Sequence, residues 1–248
     1  MDTPDTTPLT PPGGSRSPRP SSGPTLVEWA HEHLLSMLLS RQIAPGARIR
    51  IDAVARELNI SQTPIREALS RLEAEKLVHK VTNVGYRASA QMTREEVNDL
   101  YALRLLIEPY AAARAAESMT DESLGILTGM QQKMAQIQTG SGVAYARFAE
   151  ADSVLHHLVA TGSGNRLIAD TIERLHVHLH IFRFLYSTNA PAEAAEEHRR
   201  IIDALLARDP AAAEAAMRDH LERSRIRMDH ASSDAETASD GEDAPLTI

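Results

Sequence analysis

The sequence contains no cysteine. That absence excludes disulfides and thiolate metal ligands, and makes a reducing cytoplasm the expected compartment. Aromatic residues are scarce as well, with three Phe, one Trp and five Tyr among 248 residues, so Leu, Ile, Val and Ala must build the interior. No apolar run approaches the roughly 20 residues of a membrane-spanning helix. The N-terminal stretch lacks a signal-type apolar core, and no membrane association is expected. Basic residues are outnumbered, 26 Lys and Arg against 34 Asp and Glu, for a formal net charge of −8. Such a balance excludes a chain that coats nucleic acid along its whole length.

The charge that is present is unevenly spread. Between Thr25 and Ala90 nine Lys/Arg face seven Asp/Glu, whereas Asp229 to Ile248 carries six acids and no base. A slightly basic N-terminal third on an acidic body suits a module that meets phosphates. Residues 1–24 are rich in Pro, Ser, Thr and Gly and are expected to form a disordered arm; residues 229–248 are expected to form a disordered acidic tail.

Between the tails the pattern is mainly helical. LVEWAHEHLLSMLLSRQ reads as an amphipathic helix closed by Pro45-Gly46, and AVARELNI and SQTPIREALSRLEAEKLV read as two more. HKVTNVGYRASA alternates like a small hairpin with Asn83 to Gly85 at its tip. From Thr93, which with Glu96 forms a capping-box signature, the chain reads as helices to Met228. The fold class is therefore mainly α: a three-helix-plus-hairpin unit over 25–90 and an all-helical domain of six or seven helices over 91–228.

Two short helices joined tightly at Asn59-Ile60-Ser61 have the form of a helix-turn-helix. Ser61 can cap the second helix, and Pro64 falls in its first turn, where no donor is needed. Ile65, Ala68, Leu69 and Leu72 would face inward, leaving Gln62, Thr63 and Arg66 exposed at the end that enters a major groove. Arg66 can chelate guanine, Gln62 can pair with adenine, and Thr63 can hold a phosphate or a thymine methyl. The hairpin would be a wing, with Lys80, Asn83 and Arg87 near phosphates and Gly85 giving a tight tip. Pattern alone leaves open an ordinary amphipathic helix whose polar residues merely face water.

PGARIRIDAVARELNISQTPIREALSRLEAEKLV…GY resembles the winged helix of the GntR family of bacterial transcription regulators. The likeness covers about 26–90 and includes a PG turn, a tPxREAL recognition helix and a wing glycine. Members often carry Arg at the position of Gln62, and a glycine at that of Lys76, which implies a slightly different helix ending here. A single recognition helix reads few bases, so a homodimer on a pseudo-palindromic DNA operator is expected.

The helical domain points polar groups inward. Asp152 falls on the apolar stripe of AYARFAEADSVLHHLVA, with His156 four residues on; His198 completes the stripe of EEHRRIIDALLA; His220 lies among the apolar positions of PAAAEAAMRDHLERS. A carboxylate buried alone is costly. Three imidazoles and one carboxylate converging favour a divalent metal such as Zn, Ni, Mn or Fe. An Asp–His hydrogen-bond cluster without metal is the alternative. His176, His178 and His180 read as flanking residues, and His31, His33 and His157 as surface or packing residues.

DSVLH, EEH and MRDH also resemble the FCD-type effector domain of GntR regulators, over about 93–228. The resemblance assigns Asp152, His156, His198 and His220 as metal ligands, and matches Asn165 (in SGNRL) and Arg104 to effector-site positions. It implies a small carboxylate effector bound to the metal and clamped by Arg104, in a metabolite-responsive repressor. A metal-dependent hydrolase or lyase acting on small organic acids is the competing function, since Asp and three His can activate water.

Overall fold

The computed structural model of the chain describes residues 25–138, 140–175, 177–186 and 188–240. The expected N-terminal arm, His176 and residues 241–248 lie outside the described residues.

Helix α1 (Leu26–Leu39) starts in a capping box between Thr25 and Glu28. It packs against α3 (Gln62–Ala74), and α2 (Ile51–Glu57) lies on α3 in turn. Leu34, Leu38, Ile65, Leu69, Leu72 and Leu77 close this small core completely. The hairpin of β2 (Val78–Val81) and β3 (Gly85–Ala88) turns through Asn83, at φ +61°, and Gly85, at φ +103°. A third strand, β1 (Arg48–Ile49), pairs antiparallel with β3 and gives the order β1-β3-β2. At two residues β1 is too short to alternate visibly, so the sequence implied only a hairpin.

Seven helices follow among the described residues. Helix α4 (Arg94–Ser118) begins at the expected Thr93–Glu96 capping box. Then come α5 (Asp121–Ala135), α6 (Gly142–Gly162), α7 (Arg166–Leu175), α8 (Val177–Phe184), α9 (Ala190–Leu206) and α10 (Pro210–Asp240). Helix α10 lies along α4 and α9, and α6 is flanked by α1, α4, α5, α7 and α8. Asp209 caps α10 through the Ala212 N–H at 3.0 Å. The helix continues to Asp240, past Asp229, where a disordered tail was expected. Residues 229–240 contain neither Gly nor Pro, so nothing in the chain stops the helix before Gly241.

Helix α1 joins the two halves, and its apolar side shares one continuous core with α6, Leu127 and Phe148. Gly142 lets α6 approach closely, because a Cβ there would collide with Ser36 of α1. Beside it, Arg147 pairs with Glu32, and Arg183 of α8 donates to the carbonyls of Ser89 at 2.9 Å and Ala90 at 3.3 Å.

Candidate metal centre and nucleic-acid interface

Amphipathic spacing fixes what α3 presents. Pro64, Ile65, Ala68, Leu69 and Leu72 are buried, and Ser61, Gln62, Thr63 and Arg66 are exposed together at its N-terminal end. Ser61 occupies the N-cap position, but its hydroxyl makes no capping bond. The unpaired first-turn N–H groups of a helix favour an anion at this end. Lys80 and Asn83 are exposed on the wing. Arg87 differs from expectation, since its guanidinium donates to the Gly46 carbonyl at 2.8 Å and braces the sheet. It stands in register between Arg48 and His79 on the neighbouring strands, so one row of the sheet carries three basic side chains.

The helical domain assembles the expected cluster residues from three helices. Asp152 and His156 of α6, His198 of α9 and His220 of α10 are all buried and come together as the spacing implied. His156 is central: its ring centroid is 5.4 Å from that of His198 and 5.1 Å from that of His220. Ligand atoms of His156, His198 and His220 lie within 4.8 Å of one another. Asp152 Oδ1 approaches His198 Nε2 to 3.2 Å without hydrogen-bond alignment.

Two carboxylates orient two of the rings. His156 Nδ1 donates to Glu108 Oε2 at 2.6 Å, and His220 Nδ1 donates to Glu197 Oε2 at 2.8 Å. Each carboxylate is braced by an arginine: Arg104 Nε donates to Glu108 at 2.5 Å, and Arg227 holds both Glu197 oxygens at 2.7 and 2.8 Å. A carboxylate only accepts, so Nδ1 carries the proton and Nε2 keeps its lone pair, as in metal-ligating histidines. His156 Nε2 and both ring nitrogens of His198 are buried without a hydrogen-bond partner.

The electrostatics match that arrangement. Burial pushes the Glu108 carboxyl up, but Arg104 and His156 more than offset it and hold it well below the usual carboxylate range. Asp152 is likewise held low, against burial, by His178, His198 and His156. Burial raises Glu197, yet bonds from Arg227 and His220 bring it down to about 2. Burial lowers His198 well below its ordinary value and lowers His220 too, so both are neutral and ligand-competent.

Residues 26–87 match the model for bacterial regulatory proteins of the gntR family, and residues 99–223, half of the chain, match the FCD domain. The chain belongs to the GntR family. It is a transcriptional regulator with an FCD domain, and that membership sets aside the hydrolase or lyase alternative. This regulator is 25% identical to the uncharacterized HTH-type transcriptional regulator YdhC of Bacillus subtilis, over 81% of this chain and 89% of that one. It is 27% identical to the probable D-xylose utilization operon transcriptional repressor of Paenarthrobacter nicotinovorans, over 79% of this chain and 86% of that one. Among solved structures it shares the fold of Escherichia coli McbR/YncC, with a TM-score of 0.61 and 21% identity over 84% of this chain and 99% of that one. No helix among its described residues is long and apolar enough to cross a membrane.

The two expected effector residues stand differently: Arg104 lines the cavity beside the cluster, and Asn165 does not. Arg104 is buried but committed to Glu108. Asn165 stands before α7, where its Oδ1 accepts from the Leu167 and Ile168 N–H groups, and it is absent from the lining of the cavity beside the cluster. Conversely, His178 belongs to the cluster instead of flanking it: its Nδ1 is 2.6 Å from Asp152 Oδ2 and its ring stacks 4.3 Å from that of His156. Its partner Asp152 is on α6, a relation that the stripe of its own helix does not display. Glu108 and Glu197 were also missed, although Arg104 and Glu108 stand four apart on one helix face, the spacing of a pair.

Proposed function

We propose that this regulator is a homodimeric repressor of a pseudo-palindromic operator, and that its helical domain holds a divalent metal and a small carboxylate effector. Asp152, His156, His198 and His220 would be the ligands, with Zn, Ni, Mn or Fe as the ion. The observation that carries the metal reading is the set of buried, unpartnered imidazole nitrogens on His156, His178 and His198, the His156 ring being fixed by the Arg104–Glu108 pair. An Asp–His hydrogen-bond cluster serving only packing would have satisfied those nitrogens. Repression is supported by relatives named as repressors, among them the D-xylose operon protein and GlaR of Escherichia coli. Dimerisation is supported by Leu106 and Tyr110, one turn apart on α4, which are 75% and 51% exposed.

On DNA, Gln62, Thr63 and Arg66 would read base edges, and Lys80, Asn83 and Gly85 at the wing would meet phosphates. Ser61 would offer its backbone N–H and hydroxyl to a phosphate. Helix α6 connects the two functions, carrying Asp152 and His156 at the cluster and Arg147 and Glu150 at α1. Coupling between such sites is typically about 1–3 kcal/mol. The test is elemental analysis of purified protein, followed by operator affinity with metal and with chelator, each with and without acetate. The proposal expects one ion per chain and an operator affinity that changes with acid only in the metal-loaded protein. Identical acid response with and without metal sinks metal-assisted sensing, and unchanged affinity throughout sinks the cluster as a sensor.

A further inference from the structure

We infer that His178 is a fifth protein ligand to the ion, so that a six-coordinate metal keeps one open position and accepts an effector through a single donor atom. This rests on the metal reading above. His178 comes from α8, which the D-x-x-x-H, EH and M-x-x-H pattern does not include, and it is 2% exposed. A ligand atom from each of Asp152, His156 and His178 falls within 4.8 Å of the others. This triad shares His156 with the one formed by His198 and His220, and Asp152 Oδ1 lies 3.2 Å from His198 Nε2, so the two triads adjoin.

The donor of His178 is Nδ1. It lies 2.6 Å from Asp152 Oδ2; donors on adjacent positions of one ion with bonds of ~2.1 Å stand about 3 Å apart. Without an ion, the Nδ1–H donates to Asp152. For Nδ1 to ligate an ion, the ring proton would have to sit on Nε2, which is buried without a partner. His178 lines a cavity of about 10 Å³ together with Asp152, His220 and Arg104. Such a space holds about one water-sized species.

Charge narrows the effector further. Three buried carboxylates, Asp152, Glu108 and Glu197, face the two guanidinium groups of Arg104 and Arg227, leaving one negative charge. A divalent ion inverts that to one positive charge, which one monocarboxylate neutralises. A second carboxylate finds no free arginine, because Arg104 and Arg227 are already paired. The effector class is therefore a monodentate monocarboxylate, and chelating 2-hydroxy acids are excluded.

The test loads full-length wild-type, His178→Ala and His178→Gln proteins with Co²⁺ and follows the visible spectrum during titration with acetate and with lactate. Circular dichroism first establishes that each variant is folded, and His178→Gln substitutes if the alanine variant is not. Loss of affinity alone does not decide, because removal of an orienting partner also weakens a metal by about 10- to 100-fold. The inference expects a wild-type spectrum that acetate shifts and lactate moves no further than acetate does. Both variants are expected to show an altered Co²⁺ spectrum before any acid is added, and a lactate response exceeding that to acetate by tenfold or more in affinity. Variant spectra identical to wild type, or a chelate-type lactate response already in wild type, overturn the fifth ligand and leave the four-ligand centre standing. Wild-type protein that binds no Co²⁺ overturns both.

Discussion

The two halves of this regulator keep their charge in opposite places. The winged helix closes on leucine, isoleucine and alanine, and carries Arg66, Glu67 and Lys80 at its surface. The helical domain buries Arg104, Glu108, Asp152, Glu197 and four histidines. An apolar core needs no partner to be stable, so the reading surface is free to meet DNA. A charged core is stable only while each group is satisfied, and so it responds to whatever satisfies it. The sharpest way to break that contrast is Glu108→Ala against Glu67→Ala. Loss of Glu108 strands the buried guanidinium of Arg104 and releases His156 Nδ1, with an expected cost of about 3–5 kcal/mol. Loss of Glu67, exposed on α3, is expected to stay within about 0.5 kcal/mol. Urea unfolding of both variants measures the difference; equal midpoints would end the comparison.

The reading surface is probed by Arg66→Ala. A bidentate arginine–guanine contact is worth about 1–3 kcal/mol of discrimination, so the variant is expected to lose most preference for operator over scrambled duplex while unfolding like wild type. Lys80→Ala is the control. A phosphate contact on the wing should weaken both duplexes alike and lower the salt slope by about one. An Arg66 variant that keeps its sequence preference would remove that residue from the base-reading set.

What the sequence made legible follows from how local each signal is. The capping boxes and the inward phase of Asp152, His156, His198 and His220 are properties of single helices, and the chain displays them within a few residues. The tPxREAL pattern does the same for the exposed start of α3. The misses are all relations between elements. His178 pairs with Asp152, 26 positions away, and Arg87 is held by a carbonyl 41 positions away. Glu197 neighbours His198 in sequence, yet serves His220 on the next helix. Asn165, matched to the effector by family resemblance, also caps α7, accepting from the Leu167 N–H at 3.1 Å.

At the junction of the halves a histidine behaves opposite to those of the cluster. His31 of α1 lies 3.0 Å from Glu75, the residue that follows α3, and 3.3 Å from Glu150 of α6. Burial lowers its pKa, but the bonds to Glu150 and Glu75 more than offset that and raise it to about 9. The unfolded chain has the ordinary value near 6.5. The protonated ring therefore stabilises the junction fully below that value, and the contribution disappears as the pH rises through about 9. Hydrogen bonds to charged groups are worth about 1.5–3 kcal/mol, and part of this is lost to solvent around the half-exposed Glu150. His31→Gln should cost about 1–2 kcal/mol near pH 6 and almost nothing near pH 10, read from unfolding at both. A pH-independent difference would make His31 a packing residue.

The smallest effect tests how well the apolar half is optimised. Lys76, after the C-terminus of α3, has φ +61°, although the GntR pattern has glycine there and a different helix ending was expected for lysine. The helix ends with Leu77 N–H on the Leu72 carbonyl and Lys76 N–H on that of Glu73, and Leu77 is fully buried. Burying Leu77 fixes the exit of the chain, so the backbone adopts the left-handed turn despite the side chain. A non-glycine residue in that region costs about 1–2 kcal/mol. Glycine removes this strain but adds unfolded-state entropy of about 0.4–1 kcal/mol. Lys76→Gly should therefore stabilise the protein by about 0.5–1 kcal/mol without altering operator preference. A destabilised variant would mean that the lysine stem contributes packing that outweighs its backbone strain.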